Sequence, residues 1–246
     1  MNNQTFTIYF DEAWRGPLAW PLFIWLICPL KKLSKSELQV FCDSKKISEY
    51  IREEHFKLIQ QLQDKKKIIY SPARVTATEI DLYGMTNAIH CAILRWMIQL
   101  FQNLYPNYFS FNLTLPDPLA KSISSSEKIQ YKDVLSVFSS LYSNGIHIKL
   151  ILDWNSNFWL WKSFPFREIQ TVVHWDDTVK EISMASIIAK VTRDRIMRQW
   201  DEVYPEYGFA KHKGYGTAEH INVIRKIGPC KLHRKSFIKN FTKEEN

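Results

Sequence analysis

The chain of 246 residues is 46% hydrophobic and 24% charged, with a formal net charge of +8. This composition suits one large soluble domain, or one domain with a small appendage, and the longest apolar run, residues 17–30, is too short to span a bilayer. The four cysteines are far apart and form no CxxC pair, which argues against a disulfide framework or a zinc site and favours reduced thiols in a cytoplasmic protein.

The first strands are predicted close to the start of the chain. TFTIYF (5–10) and LFIWLIC (22–28) are rich in β-branched and aromatic residues, which predicts two strands joined as a hairpin across the turn Arg15-Gly16-Pro17. A third strand is predicted in KIIYSPARV (67–75).

Two helices are predicted around the third strand. Residues 48–63 can begin on the capping hydroxyl of Ser48, and apolar side chains recur there on one helical face. Residues 86–104 are apolar around most of the circumference, which predicts a deeply packed helix. The predicted buried face of the first helix consists of Ile51, His55, Leu58, Ile59 and Leu62.

Strands and helices continue to alternate in the second half, which indicates an α/β domain with a mixed sheet. Residues 105–145 are an exception, because they are rich in Ser, Pro and Asn, and we interpret them as an insertion or lid with a possible helix at 131–142. The remaining predictions are strands at 147–153 and 168–176, helices at 182–204 and 218–227, and a glycine-punctuated basic loop at 207–217.

Four carboxylates share one feature, since each lies at the end of a short apolar run: Asp11, Glu12, Asp153 and Asp176. In an α/β sheet such ends gather at one edge, where ligands bind. Clustered carboxylates raise one another's pKa unless cations neutralise them. Oxygen-only ligation suits Mg²⁺ or Mn²⁺, and two such ions can stabilise both the attacking and leaving oxygens of a phosphodiester.

The positive charge is concentrated near the C-terminus. From Lys190 to the end there are 13 Lys and Arg against 7 Asp and Glu, so +6 of the net +8 lies in this part. A basic balance with a local focus favours a polyanionic partner, nucleic acid before membrane.

The string DEAWRGPLAWP (11–21) resembles the motif DEAGRGPLAGP that opens proteins of the ribonuclease HII family, the type 2 ribonucleases H. Further blocks match in the same order, and the resemblance covers the chain except for about residues 105–145. These blocks are DSKKIS (43–48), EID (79–81), DWN (153–155), HWD (174–176), EISMASIIAKVTRDR (181–195), YPEYGFAKHKGYGT (204–217) and GPCKLHRKSF (228–237).

The resemblance implies a ribonuclease H-like fold, a mixed five-stranded sheet flanked by helices, with a helical C-terminal region. It implies a catalytic domain over 1–204 and a basic region over 205–246 that completes the substrate groove. The implied activity is cleavage of RNA in RNA/DNA hybrids and 5′ of single ribonucleotides in duplex DNA, leaving 3′-hydroxyl and 5′-phosphate ends. A monomer that uses Mg²⁺ or Mn²⁺ and binds no membrane is also implied.

Site residues follow from the same match. Asp11, Glu12, Asp153 and Asp176 correspond to the metal-binding, catalytic carboxylates. The turn Trp14-Arg15-Gly16 corresponds to the family's Gly-Arg-Gly turn, whose backbone reads the ribose 2′-hydroxyl, and Tyr215 to the tyrosine that stacks at the sugar. His212 and His233 are interpreted as structural or phosphate-contact residues. Further implied substrate-binding residues are Ser44, Lys45, Lys46, Lys190, Lys213 and Arg234.

Tryptophan stands at several positions where the family motif has glycine: Trp14, Trp20, Trp154 and Trp175, with Trp25 where many members have glycine. Glycine is used where φ is positive or where the backbone approaches a ligand closely. The 7 glycines are about 2.8% of the chain, against a typical ~7%. We hypothesise that the source decodes UGA as glycine and that several printed tryptophans replace glycines.

Two other functions stay open at this point. A cleavage-deficient nucleic-acid-binding relative is the alternative if these tryptophans are genuine, because indoles would obstruct the approach of a substrate. A metal-dependent nuclease of the same broad fold that acts on DNA junctions is the second, although it leaves the DSKK and HKGYGT blocks unexplained.

Overall fold

The computed structural model describes residues 3–13, 16–20, 22–108, 136–153, 168–172 and 179–242. Their core is a five-stranded mixed sheet with the order β3-β2-β1-β4-β5. β1 pairs antiparallel with β2 and parallel with β4, so the predicted hairpin and mixed sheet are both confirmed. The strands are β1 Gln4–Ala13, β2 Leu22–Pro29, β3 Ile68–Val75, β4 Ile146–Asp153 and β5 Glu168–Val172.

Helices cover both faces of the sheet. Side chains alternate along β1, so Phe6, Ile8 and Phe10 pack with α3 on one face, while Ile27 of β2 packs with α2 and α5 on the other. The helices are α1 Lys35–Leu38, α2 Glu49–Asp64, α3 Ala77–Leu104, α4 (136–143), α5 Lys180–Val203, α6 Phe209–His212, α7 Ala218–Ile227 and α8 Lys235–Ile238.

The α2 helix begins as predicted, because the Ser48 hydroxyl accepts a hydrogen bond from the Ile51 amide. The prediction of its buried face is partly wrong. Ile51 and Leu58 are each 38% exposed, whereas Phe56 is buried together with Ile59 and Leu62. The face is rotated because Phe56 packs against Tyr70 of β3.

The α3 helix contains the predicted helix 86–104, and a short helical segment precedes it, separated by a break at Gly84. It begins at Ala77 because Thr76 and Glu79 form a capping box, in which each side chain bonds the other residue's backbone amide. Gly84 interrupts the helical geometry with a φ of 75°, which accommodates a kink ahead of the apolar segment.

Parts of the predicted insertion and of the predicted C-terminal basic region contribute to the core. Phe138 and Leu141 of α4, inside the predicted insertion, are fully buried beside Phe101 of α3. The C-terminal region from Pro205 onward packs its apolar residues into the same cluster as α5. Residues 109–135 lie outside the described part.

Within the described ranges no helix is long and apolar enough to cross a membrane. The four cysteines, Cys28, Cys42, Cys91 and Cys230, are free thiols.

Candidate active site

The carboxylate edge is built by the parallel pairing of β1 and β4. Phe10 is the register partner of Leu152, so Asp11 and Asp153 follow as the next residues of two adjacent strands. Neighbouring strands lie about 4.8 Å apart. The backbone therefore brings two predicted metal ligands from distant parts of the chain to one sheet edge.

The remaining ligands are placed only in part. Glu12 continues β1 and pairs with Ile24 of β2, and Asp11 is half-buried. Asp176 and the side chains of Glu12 and Asp153 lie outside the described part, and within it no group of three His, Cys, Asp or Glu side chains is arranged to hold a metal ion. The four-ligand set stays a prediction, and the β1–β4 register is compatible with it.

A further carboxylate lies on the same side of the sheet. Glu181, in the first turn of α5, is half-buried, and burial raises its pKa. Burial raises the pKa of Tyr9 to about 12, with a smaller contribution from the charge of Glu181. Tyr9 of β1 packs in one cluster with Ile182, the residue that follows Glu181, so this end of α5 lies against β1. Sequence reasoning did not single out Glu181, although its position at the start of the EISMASIIAKVTRDR block was a usable signal.

The predicted ribose-reading elements meet at Gly16 and Tyr215. A β-carbon added to Gly16 would lie 3.7 Å from Cε1 of Tyr215, whose side chain is 40% exposed. Gly214 anchors this contact, because its carbonyl accepts a hydrogen bond of 2.8 Å from the Leu18 amide. Only glycine fits there, since its φ is 81° and a β-carbon would lie 2.8 Å from the Ala19 oxygen. Trp14 and Arg15 lie outside the described part.

A cluster of cations surrounds Lys190 on α5. The pKa of the Lys190 ammonium is lowered to about 8, chiefly by burial and to a smaller extent by the nearby charges of Arg52, Lys45 and Arg193, which Asp43 opposes. Lys45 and Lys46 are exposed. Crowded positive charge at a half-buried lysine is a favourable setting for a phosphate.

The loop that carries Lys45 and Lys46 is fixed by hydrogen bonds from Arg52 and to Asp43. Arg52 Nη1 donates hydrogen bonds to the carbonyls of Ser44 (3.1 Å) and Ile47 (2.7 Å). Asp43 Oδ1 accepts from the Lys45 amide at 2.8 Å. The Ser44 side chain is fully buried, with its hydroxyl 2.7 Å from that of Ser186. The Ser44 side chain thus contacts α5 through Ser186, and the Ser44 carbonyl helps to fix the loop by accepting from Arg52.

Two other predicted substrate residues also bond to the protein. Arg234 is fully buried, and its Nε donates to the Trp20 carbonyl at 2.9 Å. The Lys213 ammonium donates to the Ala210 carbonyl. Asp81 of the EID block accepts from the amides of Lys235 (3.0 Å) and Ser236 (2.9 Å), a tertiary cap for α8 that sequence reasoning missed.

Comparison with known proteins gives a consistent result. The family model described as Ribonuclease HII matches residues 161–240. Ribonuclease HII of Clostridioides difficile (strain 630) is 34% identical over 230 residues, which cover 94% of this chain and 69% of that protein. Ribonuclease HII of Sulfurovum sp. (strain NBC37-1) is 31% identical over 96% of this chain and 94% of that protein.

The chain belongs to the ribonuclease HII family. The predicted family and its enzyme class, a type 2 ribonuclease H, are confirmed. The crystal structure of ribonuclease H2 from Pyrococcus horikoshii OT3 matches 97% of this chain and 100% of that chain with a TM-score of 0.55 at 20% identity. That likeness confirms the predicted ribonuclease H-like fold.

Two of the tryptophans at ribonuclease HII glycine positions are included in the structure. Trp20 has a φ of 97°, a value that suits glycine, and it is 6% exposed. Trp25 is the register partner of Asp11 in β2 and is 5% exposed, and its indole nitrogen has no hydrogen-bond partner among the described residues. The positive φ of Trp20 fits glycine better than tryptophan, the unbonded indole nitrogen of Trp25 is a cost of burying that ring, and the decoding hypothesis stays a prediction.

Proposed function

We propose that this chain is a metal-dependent endoribonuclease that cleaves the RNA strand of RNA/DNA hybrids and cleaves 5′ of single ribonucleotides embedded in duplex DNA. The products are a 3′-hydroxyl and a 5′-phosphate. The observation that carries the proposal is the Phe10–Leu152 register, which brings Asp11 and Asp153 to adjacent ends of parallel strands.

Asp11, Glu12, Asp153 and Asp176 are proposed as ligands for two divalent ions, Mg²⁺ or Mn²⁺, because an all-oxygen donor set suits these ions. When bound, such ions supply an activated water and charge stabilisation for phosphodiester hydrolysis. Asp11, Glu12 and Asp153 would hold the ions at the edge of the sheet, because they belong to the paired strands β1 and β4, which form a rigid base.

Selection of ribose is assigned to the contact between the Gly16 turn and Tyr215. The exposed aromatic ring can stack on the sugar, while main-chain groups of the turn 14–16 hydrogen-bond the 2′-hydroxyl that separates RNA from DNA. Gly214 holds the two parts at a fixed separation through its bond to Leu18.

The cation cluster around Lys190 is proposed to hold a backbone phosphate on one side of the scissile bond. Lys45, Lys46 and Lys190 supply the charge, and Arg52 fixes the loop that presents the first two. Lys213 and Arg234 support the C-terminal wall of the groove through their bonds to Ala210 and Trp20. Such contacts add affinity without sequence information.

The chain is further proposed to act as a cytoplasmic monomer in ribonucleotide excision during DNA replication and repair. Residues 1–204 form the catalytic domain in this proposal, and residues 205–246 complete the substrate groove. The packing of the C-terminal region against α5 supports a fixed groove wall.

The experiment uses a labelled DNA duplex with one ribonucleotide, incubated with Mg²⁺, with Mn²⁺ or with a chelator. Two proteins are compared: the printed sequence and a version with glycine at positions 14, 20, 25, 154 and 175. A single metal-dependent cut 5′ of the ribonucleotide by either protein supports the proposal. Absence of that cut with both proteins, in either metal, contradicts it.

One observation favours a second function, a cleavage-deficient nucleic-acid-binding protein. Trp25 is directly opposite Asp11 in the β1–β2 pair, so a genuine indole occupies the sheet face beside a proposed metal ligand. In the same experiment, this function predicts that the protein with the printed sequence binds the duplex and does not cut it. It also predicts that the natural coding sequence has UGG codons at these positions.

A further inference from the structure

Three buried histidines form a connected group outside the proposed cleavage machinery. His212 closes α6, His220 lies in α7 and His233 precedes α8, with exposures of 8%, 0% and 4%. The rings of His212 and His220 stack with centroids 4.2 Å apart. Nε2 of His220 lies 3.1 Å from Nε2 of His233.

The hydrogen bonds of His220 and His233 assign one tautomer to each neutral ring. The Tyr215 carbonyl can only accept, so His220 Nδ1, at 2.9 Å, carries the proton. His220 Nε2 is then an acceptor, and His233 Nε2 must donate to it. This leaves His233 Nδ1 to accept from the Cys230 amide at 3.0 Å.

The hydrogen bonds of His212 assign its tautomer in the same way. His212 Nδ1 accepts from the Gly214 amide at 3.2 Å, so its Nε2 donates to the Tyr207 carbonyl at 2.7 Å. Burial lowers the pKa of all three rings, to about 4 for His220 and His233, which keeps them neutral near pH 7. A fully bonded buried network of this kind holds its members in a single arrangement.

Two of these bonds end on the loop that presents Tyr215. His212 holds the amide of Gly214, and His220 holds the carbonyl of Tyr215 itself. The Tyr215 carbonyl also accepts from the Thr217 amide at 2.9 Å, and the Tyr215 amide donates to the His212 carbonyl at 3.0 Å, so the loop keeps two backbone bonds without the His220 ring. The imidazoles therefore add side-chain bonds to a turn that also has backbone bonds, and the contact between His220 and His233 connects this turn to the segment before α8.

We propose that His220, oriented by His233, is a positioning residue that fixes the Tyr215 main chain so that the tyrosine ring meets the ribose beside Gly16. The inference rests on the proposed function, because it assumes that Tyr215 contacts the substrate. His220 touches neither substrate nor metal in this account and acts through Tyr215 alone.

A matched pair of variants tests the contacts of the two His220 ring nitrogens separately. In His220→Asn the amide nitrogen lies near the former Nδ1 and can still donate to the Tyr215 carbonyl. In His220→Gln the amide lies near the former Nε2, which keeps the contact with His233 and removes the donor to Tyr215. We expect His220→Gln to lower kcat/KM on the single-ribonucleotide duplex about tenfold, as for other directly coupled residues, and His220→Asn to retain most of the activity.

A double-mutant cycle tests whether His220 acts through Tyr215. In a Tyr215→Ala background, His220→Gln should cause no further loss of kcat/KM, because the ring that it positions is absent. Equal losses in the two backgrounds, or equal impairment by His220→Asn and His220→Gln at equal folded stability, would overturn the inference. The cleavage assay of the parent separately decides the proposed function.

A second measurement does not depend on cleavage. With ring-labelled tyrosine, the Tyr215 resonances should broaden or shift in His220→Gln and stay close to the parent's in His220→Asn. Unchanged Tyr215 resonances in His220→Gln contradict the positioning role, whether or not the protein cuts RNA.

Discussion

The ring of Trp20 lies 5.1 Å from that of Trp200, centroid to centroid, on a main chain whose φ at Trp20 is 97°. A residue other than glycine with φ in this region carries about 1–3 kcal/mol of backbone strain. The indole thus occupies a well-packed position on a backbone that suits glycine.

Two replacements of Trp20 isolate the energetic cost of the backbone conformation at this position. Trp20→Gly and Trp20→Ala both delete the indole, but only glycine adopts a φ of 97° without strain. We expect Trp20→Gly to have a free energy of unfolding about 1 kcal/mol higher than Trp20→Ala, measured by urea denaturation. An alanine variant of equal or greater stability would contradict the account. Glycine at position 20 in peptide mass spectra of the natural protein would support the decoding hypothesis, and tryptophan would refute it.

Lys190 predicts how duplex binding depends on pH. Its pKa is lowered to about 8 chiefly by burial, so the ammonium is charged at pH 7 and loses its proton as the pH rises through 8. Affinity for a duplex should then fall between pH 7 and 9.5. Lys190→Arg stays charged and should bind roughly threefold tighter than the parent at pH 9.5, since a half-exposed ion contact is worth up to about 1 kcal/mol. Parallel pH profiles for the two proteins would contradict this role.

The buried histidines predict a loss of stability in acid. Their pKa values in the folded protein, about 4 for His220 and His233, lie below the ordinary value of about 6.5 in the unfolded chain. The unfolded state therefore binds more protons between these values, and stability present above pH 6.5 is lost as the pH falls towards 4. The full effect is on the order of 3 kcal/mol for each ring.

Urea denaturation at pH 7.5, 5.5 and 4.5 measures this slope. The double variant His220→Asn and His233→Gln keeps both sites polar but removes both titrating rings, so its stability should fall less steeply than that of the parent. Identical slopes would assign the acid sensitivity to other groups, such as the carboxylates.

Asp81 is expected to stabilise the C-terminal region by capping α8. Its carboxylate accepts from the Lys235 and Ser236 amides and from the Ser236 hydroxyl. Asp81→Ala should lower the free energy of unfolding by about 1 kcal/mol, the usual value of such a cap, and Asp81→Asn by less because it keeps an acceptor. Asp64→Ala, at the exposed end of α2, is the control. Equal losses at positions 64 and 81 would show that the cap contributes nothing.

The elements that the sequence predicts well depend on local patterns. β1 and β2 follow from runs of β-branched and aromatic residues, and the start of α2 follows from Ser48. The buried face of α2 was predicted imperfectly, because Phe56 is drawn inward by Tyr70, a residue of β3 that periodicity within one helix cannot reveal.

The candidate site also contains features that the sequence predicts and features that depend on distant partners. Asp11 and Asp153 could be proposed as neighbours because both end apolar runs, and their strands do pair. The burial of Ser44 and Arg234 could not be predicted, because each depends on a partner far along the chain, Ser186 and Trp20. The histidine network is more local, since His212 and His220 bond the main chain two and five residues away, but the contact between His220 and His233 spans thirteen residues and follows from no periodic pattern.

In the proposed mechanism, acids from distant parts of the chain, brought together on adjacent strands, hold divalent cations against the phosphate to be cut. The most direct test is the Mg²⁺-dependent rate of cleavage of a single-ribonucleotide duplex by Asp153→Asn, compared with Asp64→Asn as a surface control. We predict that the Asp153 variant, although folded and able to bind the duplex, is slower by at least about 100-fold, as expected when charge stabilisation at a reacting centre is removed. An Asp153→Asn protein that cuts at the rate of the control would contradict the account.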